Sequence, residues 1–212
     1  MAFPWWTAFV LFIIAAERLE LMVFLPVSQF SKNLFVLFLL MFVTGIMLPF
    51  HGAGNTICGF SIAGASIWLL RNDMIAINLR KEGLPFFIGI TLLSGYIALL
   101  MDGILFLLRS DQWLTYDAVV HTFFLGFAFS MIFAHGPMIL PGILGVTSTP
   151  FHKILYLWTG LLQTSWIMRL AGDVVSSVEI RKISGLFSVV AIVGYFITIA
   201  ILTKRNLNAS LH

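Results

Sequence analysis

The sequence carries very little charge. Only 10% of its 212 residues are Asp, Glu, Lys or Arg, whereas roughly 25% is usual in a soluble domain. Hydrophobic residues make up 60% of the chain, and the mean hydropathy is +1.02. A soluble core of this length cannot bury that much apolar surface. The sequence therefore predicts an integral membrane protein whose main partner is the lipid bilayer.

Cysteine is almost absent, and Cys58 is the one example. A single cysteine excludes an internal disulfide framework and any cysteine-ligated zinc or iron–sulfur site. The net charge of +3 is small and spread over loops, which excludes a nucleic-acid partner. We also expect no secretory signal, because the start has no basic residues and the first apolar run carries Glu17, Arg18 and Glu20. We expect a retained first helix.

Long apolar runs dominate what remains. A spanning helix needs about 20 mostly apolar residues, and cutting the chain at Pro, Gly and charged clusters predicts about seven of them. The fold class is an all-α polytopic bundle, with residues 1–212 as one transmembrane domain. The linkers are short, and residues 72–85 are expected to form a turn or a brief helix in the interface. The predicted spans are residues 4–26, 33–50, 54–71, 86–108, 117–140, 152–172 and 182–203.

The basic residues predict an orientation. Cytoplasmic loops carry an excess of Lys and Arg, and alternating spans assign more of them to one face. We expect the N-terminus outside and the C-terminus in the cytoplasm of a bacterial inner membrane. The richer face holds Lys32, Arg71, Arg80, Lys81, Lys153, Lys204 and Arg205, and the other face holds Arg109, Arg169, Arg181 and Lys182.

The third predicted span is rich in small residues, which let a neighbouring helix or a flat ligand approach its backbone closely. Tight helix packing is the simpler interpretation. The small residues of this stretch are Gly54, Cys58, Gly59, Ala63, Gly64 and Ala65.

Four histidines fall into two layers by depth. His51 and His121 are expected near the outer face, and His135 and His152 near the cytoplasmic face, on the same side as Glu20. His121 and His135 are fourteen positions apart on one helix, so they share a face and lie about 21 Å apart along its axis. Helical membrane cytochromes stack two haems at such a spacing.

Imidazole nitrogen is a good axial ligand for haem iron, and apolar helices exclude water from the site. Depth permits two ligand pairs, His51 with His121 and His135 with His152. The pattern thus predicts one or two haem b groups, and copper remains open because the ligand type permits both. The alternative is that these histidines bond to the backbone or lie at the interface.

Charged residues at membrane depth cost about 2.5–3.5 kcal/mol each even on lenient scales, so each needs a partner or a role. On the first helix, Glu17 and Glu20 share one face, and we expect Arg18 to point away from both. These residues could lead protons inward, or Arg18 could contact a haem propionate or a quinone. The alternative is a charged network that holds the first helix to its neighbours.

Three further charged residues are expected at one depth near the opposite surface. Asp102 of the fourth span, Arg169 of the sixth and Asp173 just beyond it predict a salt-bridged clamp between these spans. In a functional interpretation, Arg169 would bind a haem propionate, since a guanidinium matches carboxylate geometry. The prolines in HGPMILP are expected to close the fifth span.

The stretch VVHTFFLGFAFSMIFAHGPMILPG followed by HKILYLWTGLLQTSWIMRLAGD resembles NnrS-type proteins and related stand-alone relatives of haem–copper oxidase subunit I. The matching elements are His121, Gly126 and the pair Met131 and Ile132, with Arg169 near the end of the next helix. The resemblance implies an all-helical haem-binding membrane protein with His121 as a metal ligand. The multi-histidine copper site of true oxidases has no counterpart, so oxygen reduction to water is not implied.

Three functions follow as hypotheses. The first is a membrane b-type haem protein for electron transfer or for handling a diatomic gas such as nitric oxide, with a quinone or other subunits of a homo- or hetero-oligomer as partners. The second is a small transporter or channel in which Glu17, Glu20, Asp102 and Arg169 line a path for a proton or ion. The third is a structural or assembly subunit.

Overall fold

An apolar chain in lipid adopts helices because a helix pairs its backbone polar groups within one segment. The computed structural model describes residues 3–48, 50–108, 113–143, 145 and 149–210, and these ranges contain no strand. The helices are α1 (Phe3–Leu21), α2 (Gln29–Met47), α3 (Asn55–Asn72), α4 (Ile75–Asn78), α5 (Leu84–Leu107), α6 (Trp113–His121), α7 (Phe129–Ile143), α8 (Ile154–Val174) and α9 (Val178–Ser210). A 3₁₀ turn, Met22–Phe24, follows α1. π-Helical turns cover Phe50–Gly54 before α3 and Thr122–Ala128 between α6 and α7.

The all-helical class is confirmed for the described residues. α6, the π-helical segment and α7 run on as one helix, and the short α4 lies where a turn or brief helix was expected. Within the described residues, five stretches are long and apolar enough to cross a membrane: Gln29–Met47, Gly52–Asn78, Leu84–Leu107, Tyr116–Gly142 and Val178–Asn206.

The two other long helices are more polar than these five. α1 carries Glu17, Arg18 and Glu20 within one turn, and α8 carries Gln163 and Arg169 in its length. Composition alone therefore does not identify α1 and α8 as spans.

α1 and the continuous α6–α7 helix run in the same direction. Phe3, at the start of α1, packs its ring 5.2 Å from that of Tyr116, near the start of α6. Near the far end of α1, Arg18 reaches His135 of α7. We call the end of the bundle where α1 begins the upper end, and the opposite end the lower end. α8 and α9 turn at the upper end, because Arg169 and Arg181 both reach Asp117 of α6.

Small residues on α3 allow close helix packing, as the sequence predicts. A Cβ added to Gly103 of α5 would lie 2.7 Å from the backbone nitrogen of Ala63. A Cβ added to Gly59 would lie 2.9 Å from the carbonyl oxygen of Gly103. Both distances are shorter than van der Waals contact, so α3 and α5 touch through their backbones at this point.

Apolar side chains form two clusters inside the bundle. The larger cluster joins α1, α2, α3, α5 and the α6–α7 helix, and the smaller one joins α5, α7, α8 and α9. Phe133 of α7 and Tyr195 of α9 lie at the centre of the smaller cluster, with parallel rings 3.8 Å apart. The outer faces carry many exposed large apolar residues, for example Phe9, Phe30 and Val189. A lipid-facing bundle shows such a surface, since lipid rather than water covers it.

α7 continues through its prolines rather than ending at the first. Pro137 lies inside the helix, which ends at Ile143. Because proline has no backbone N–H, the carbonyl of Phe133, four residues earlier, lacks its helical donor. The Tyr195 hydroxyl donates to that carbonyl at 2.5 Å. The helix therefore continues past Pro137, and the Tyr195 hydroxyl of α9 supplies the hydrogen bond that the backbone lacks there.

We predict that Tyr195→Phe lowers the free energy of unfolding by about 1–3 kcal/mol, because it leaves a buried carbonyl without a donor. The stacked ring is retained in this variant. The loss can be measured by thermal unfolding in detergent with a thiol-reactive dye, since Cys58 is buried and reacts only when the bundle opens.

Pro137→Ala provides the matched background for this measurement. It restores an N–H that can donate to the Phe133 carbonyl, so Tyr195→Phe should cost less there than in the natural chain. An equal cost in both backgrounds would show that the hydroxyl does not serve this carbonyl.

Candidate functional site

A buried guanidinium lies near the lower end of the bundle. The Arg18 side chain is 2% exposed, and its Nη2 lies 2.8 Å from Glu17 Oε1 and 2.8 Å from His135 Nε2. Its Nη1 lies 3.7 Å from Asp73 Oδ2. The expectation that Arg18 points away from Glu17 is wrong, because the long side chain bends back to the neighbouring carboxylate. Arg18 thereby joins α1 to α7 and to the end of α3.

The carboxylate of Asp73 joins two more elements. Asp73 follows α3 directly, and its Oδ1 accepts a hydrogen bond from the backbone N–H of Met74 at 2.7 Å. Its Oδ2 accepts a hydrogen bond from the hydroxyl of Tyr96, a fully buried residue of α5. Asp73 is itself buried, so its charge is balanced inside the protein, with Arg18 as the nearest cation.

The hydrogen bonds of His135 fix its protonation state. Arginine has no acceptor, so His135 Nε2 must accept the N–H of Arg18. The proton of the ring is then on Nδ1, which donates to the Met131 carbonyl at 2.7 Å. His135 is therefore neutral in this arrangement. If Nε2 gained a proton, two donors would face each other and the contact with Arg18 would break.

We call Glu17, Arg18, Asp73, Tyr96 and His135 the lower cluster. Two carboxylates and a neutral imidazole surround one guanidinium, so the cluster can accept a proton without becoming positive overall. Glu17 is 45% exposed and connects the buried groups to the surroundings. The cluster can therefore exchange a proton at His135, whose contact with Arg18 requires the neutral ring.

A second group of charged residues lies at the upper end. Arg169 grips Asp117 with two hydrogen bonds, Nε to Oδ2 at 2.7 Å and Nη2 to Oδ1 at 2.9 Å. Arg181 Nη2 lies 3.7 Å from Asp117 Oδ2, and its Nε lies 3.0 Å from Asp173 Oδ1. We call Asp117, His121, Arg169, Asp173 and Arg181 the upper cluster. It joins α6 to the turn between α8 and α9.

His121 presents one ring nitrogen for a ligand. Its Nδ1 lies 2.8 Å from the backbone carbonyl of Asp117, one turn earlier, so Nδ1 carries the proton and donates it. Nε2 has no hydrogen bond to a described residue. A histidine held through Nδ1–H in this way keeps the Nε2 lone pair for a metal.

The proposed clamp between Asp102 and Arg169 does not form. Arg169 pairs with Asp117, and Asp173 pairs with Arg181. Asp102 is completely buried in α5, and neither of its oxygens has a hydrogen-bond partner among the described residues. The positions of these residues in the sequence predict a comparable depth in the membrane. They do not predict which faces of the helices the residues occupy.

His135 has no ring nitrogen left for the haem that it is expected to share with His152. Both ring nitrogens of His135 are engaged, and His152 is exposed, with its Nδ1 accepting the backbone N–H of Ile154 at 3.1 Å. The side chain of His51 lies outside the described residues. Across the described ranges, no group of three or more His, Cys, Asp or Glu could hold a metal ion.

Arg18, Arg169 and Glu20 also lie in surroundings that differ from those expected. The guanidinium groups of Arg18 and Arg169, expected to bind propionates, are occupied by the carboxylates of the protein. Glu20 is exposed and lies outside the lower cluster.

Four residues of the two clusters carried no earlier assignment: Asp73, Tyr96, Asp117 and Arg181. Asp117 has a signal in the sequence, since it precedes His121 by four positions and shares its helical face. Asp73, at the end of a long apolar run, has a weaker one. Tyr96 has none, because its partner Asp73 is distant in sequence.

A family model described as "Domain of unknown function (DUF8744)" matches residues 1–204. Since the match covers nearly the whole chain, the protein belongs to this family. Neither a curated protein nor a solved structure matches it.

Proposed function

We propose that this member of the DUF8744 family moves protons across a membrane and that the lower cluster is its proton-binding site. The observation that carries the proposal is the 2.8 Å contact between Arg18 Nη2 and His135 Nε2 inside a buried network. Side chains that ionise at membrane depth are costly, and proton pathways are one of the functions that retain them.

His135 supplies the proton acceptor. When its Nε2 is protonated, it can no longer accept from Arg18, and the guanidinium turns to Glu17 and Asp73, which it already approaches. Proton loss restores the original contact. Because Arg18, Asp73 and His135 lie on different helices, proton binding shifts α7 relative to α1 and α3. This coupling of protonation to helix position is what a transporter requires.

We propose further that all seven long helices cross the membrane, with the N-terminus outside. The polar groups of α8 support this topology because they are paired inside the bundle. Gln163 Nε2 donates to Ser130 Oγ at 2.7 Å, and Ser188 Oγ of α9 donates to Ser165 Oγ at 3.0 Å. In α1, Arg18 is likewise paired internally. The richer group of basic residues lies toward the lower end, which is therefore cytoplasmic.

The topology predicts different accessibility for cysteines placed at the two ends. In a Cys58→Ser background, Lys182→Cys should react with a membrane-impermeant maleimide on intact cells. Lys204→Cys should react only after the cells are permeabilised. The opposite pattern would reverse the orientation, and labelling of both sites on intact cells would mean that α9 does not span.

Proton movement can be measured directly with purified protein in liposomes that contain a pH-sensitive dye. With a potassium gradient and valinomycin to set the potential, we expect the natural chain to acidify the lumen faster than protein-free liposomes do. His135→Gln should slow this flux at least about tenfold, because an amide oxygen can accept from Arg18 but the side chain cannot carry a proton at neutral pH.

Glu20→Gln is the matched control, since Glu20 is an exposed residue of the same helix as Arg18. Its flux should equal that of the natural chain. Flux is compared only between variants whose unfolding temperature in detergent equals that of the natural chain. Unchanged flux in His135→Gln, or no flux from the natural chain, would rule out the lower cluster as a proton site.

The geometry of His121 favours a second candidate, a b-type haem protein. With Nδ1–H bonded to the Asp117 carbonyl, the free Nε2 could bind haem iron, which would supply redox chemistry or gas binding. The upper cluster holds its own charges together, so a propionate would have to compete with Asp117 for Arg169.

For this candidate, protein from haem-replete cells should show a Soret band that His121→Ala removes. His152→Ala serves as the control because His152 is exposed at the start of α8. A colourless natural protein, or full haem content in His121→Ala, would reject it.

A further inference from the structure

The most unusual ionisable group of the bundle is Asp102. It lies on α5, a helix long and apolar enough to cross a membrane, and its side chain is completely buried. Neither carboxyl oxygen has a hydrogen-bond partner in the described part of the chain. A buried polar group is almost always paired, so each exception requires an explanation.

The charged neighbours of α5 do not compensate an ionised Asp102. Arg18 is bound to Glu17 and approaches Asp73, and Arg169 is bound to Asp117. Removal of an unpaired carboxylate from water is far more costly than burial of the neutral acid. Asp102 is therefore held as a carboxylic acid in this arrangement.

The groups facing α5 are few. Of the elements packed against it, α3 carries two titratable side chains, the buried Cys58 and Arg71 in the last turn. α4 and the π-helical segment Thr122–Ala128 contain no titratable side chain. α6, α7 and α8 also pack against α5. Apart from Tyr116 and Tyr156, their titratable residues all belong to the two clusters: Asp117, His121, His135, Arg169 and Asp173.

The position of Asp102 along α5 places it between the clusters. Tyr96, a member of the lower cluster, precedes it by six residues, so Asp102 lies about 9 Å further toward the upper end. Ala98, one turn before Asp102, packs against Gly126 of the π-helical segment, where an added Cβ would lie 2.7 Å away. π-Helical turns within α-helices are frequent at functional sites because they loosen the regular backbone pairing.

We propose that Asp102 takes up and releases a proton inside the bundle, as a station between the lower cluster and the upper end. In uptake, the carboxylate gains one proton and becomes neutral. In release, the O–H bond breaks and the proton leaves to water or to the next acceptor, with no electron transfer. This inference rests on the proposed proton transport, but its central claim concerns the carboxyl group itself and can be measured without flux.

Infrared spectroscopy of the purified protein in lipid tests the claim at neutral pH. A protonated carboxylic acid has a carbonyl stretch well separated from that of carboxylates. We expect the natural chain to show such a band, Asp102→Asn to lack it, and Glu20→Gln to keep it. The band should shift after transfer to D₂O, since a proton station must exchange with solvent.

Isotope labelling makes the assignment independent of the variant, in case Asp102→Asn does not fold. Protein grown with aspartate carrying ¹³C in its side-chain carboxyl should show the same band displaced to lower frequency. No protonated-acid band, or a band that ignores the label or persists in Asp102→Asn, would overturn the proposal. So would a band that does not shift in D₂O over a day, because the acid would then be sealed from solvent.

The two proposals can fail separately. If the natural chain moves no protons but the Asp102 band is present and exchanges, the proton site stands and the transport function falls. If flux is present but the band is absent, transport stands and Asp102 is not its station.

Discussion

The charge of Arg18 has to be balanced inside the protein, and this requirement organises the lower half of the bundle. A guanidinium cannot give up its proton at any accessible pH, so burial forces acceptors to approach it. These acceptors come from Glu17 of the same helix, from Asp73 after α3 and from His135 of α7, while Tyr96 of α5 supports Asp73. Four helices thereby acquire fixed positions relative to one charge. Close backbone contact between α3 and α5 at Gly59 and Gly103 is compatible with only a narrow range of such positions.

The same rule explains how polar helices fit among apolar ones. α8 is less apolar than its neighbours, yet Gln163 and Ser165 are paired with serines of α7 and α9. At Pro137 the missing backbone donor is replaced by a tyrosine hydroxyl from another helix. Asp102 does not follow this rule, since neither of its oxygens has a hydrogen-bond partner among the described residues.

Helix positions could be predicted from the sequence because apolar length and the residues that break helices are local properties. The seven long segments, the short helix α4 and the close packing of α3 all follow from such signals. The partners of the charged residues could not be predicted in the same way. Depth along an axis does not determine which faces meet. The sequence therefore predicts a pair of Asp102 and Arg169, whereas Asp117 binds that arginine. The predicted direction of the Arg18 side chain is also wrong. The angle of a Cα around the helix axis does not fix where the end of a long side chain lies, and Arg18 reaches the neighbouring Glu17.

The turn between α8 and α9 depends on one carboxylate for its contact with α6. Arg169, Asp173 and Arg181 lie on either side of this turn, and both arginines approach Asp117 of α6. α8 and α9 therefore form a hairpin whose tip carries more basic than acidic side chains: Arg169, Arg181 and Lys182 against Asp173 and Glu179. Asp117 offsets part of this positive charge, so a single acidic side chain holds the end of the chain against the helices that precede it.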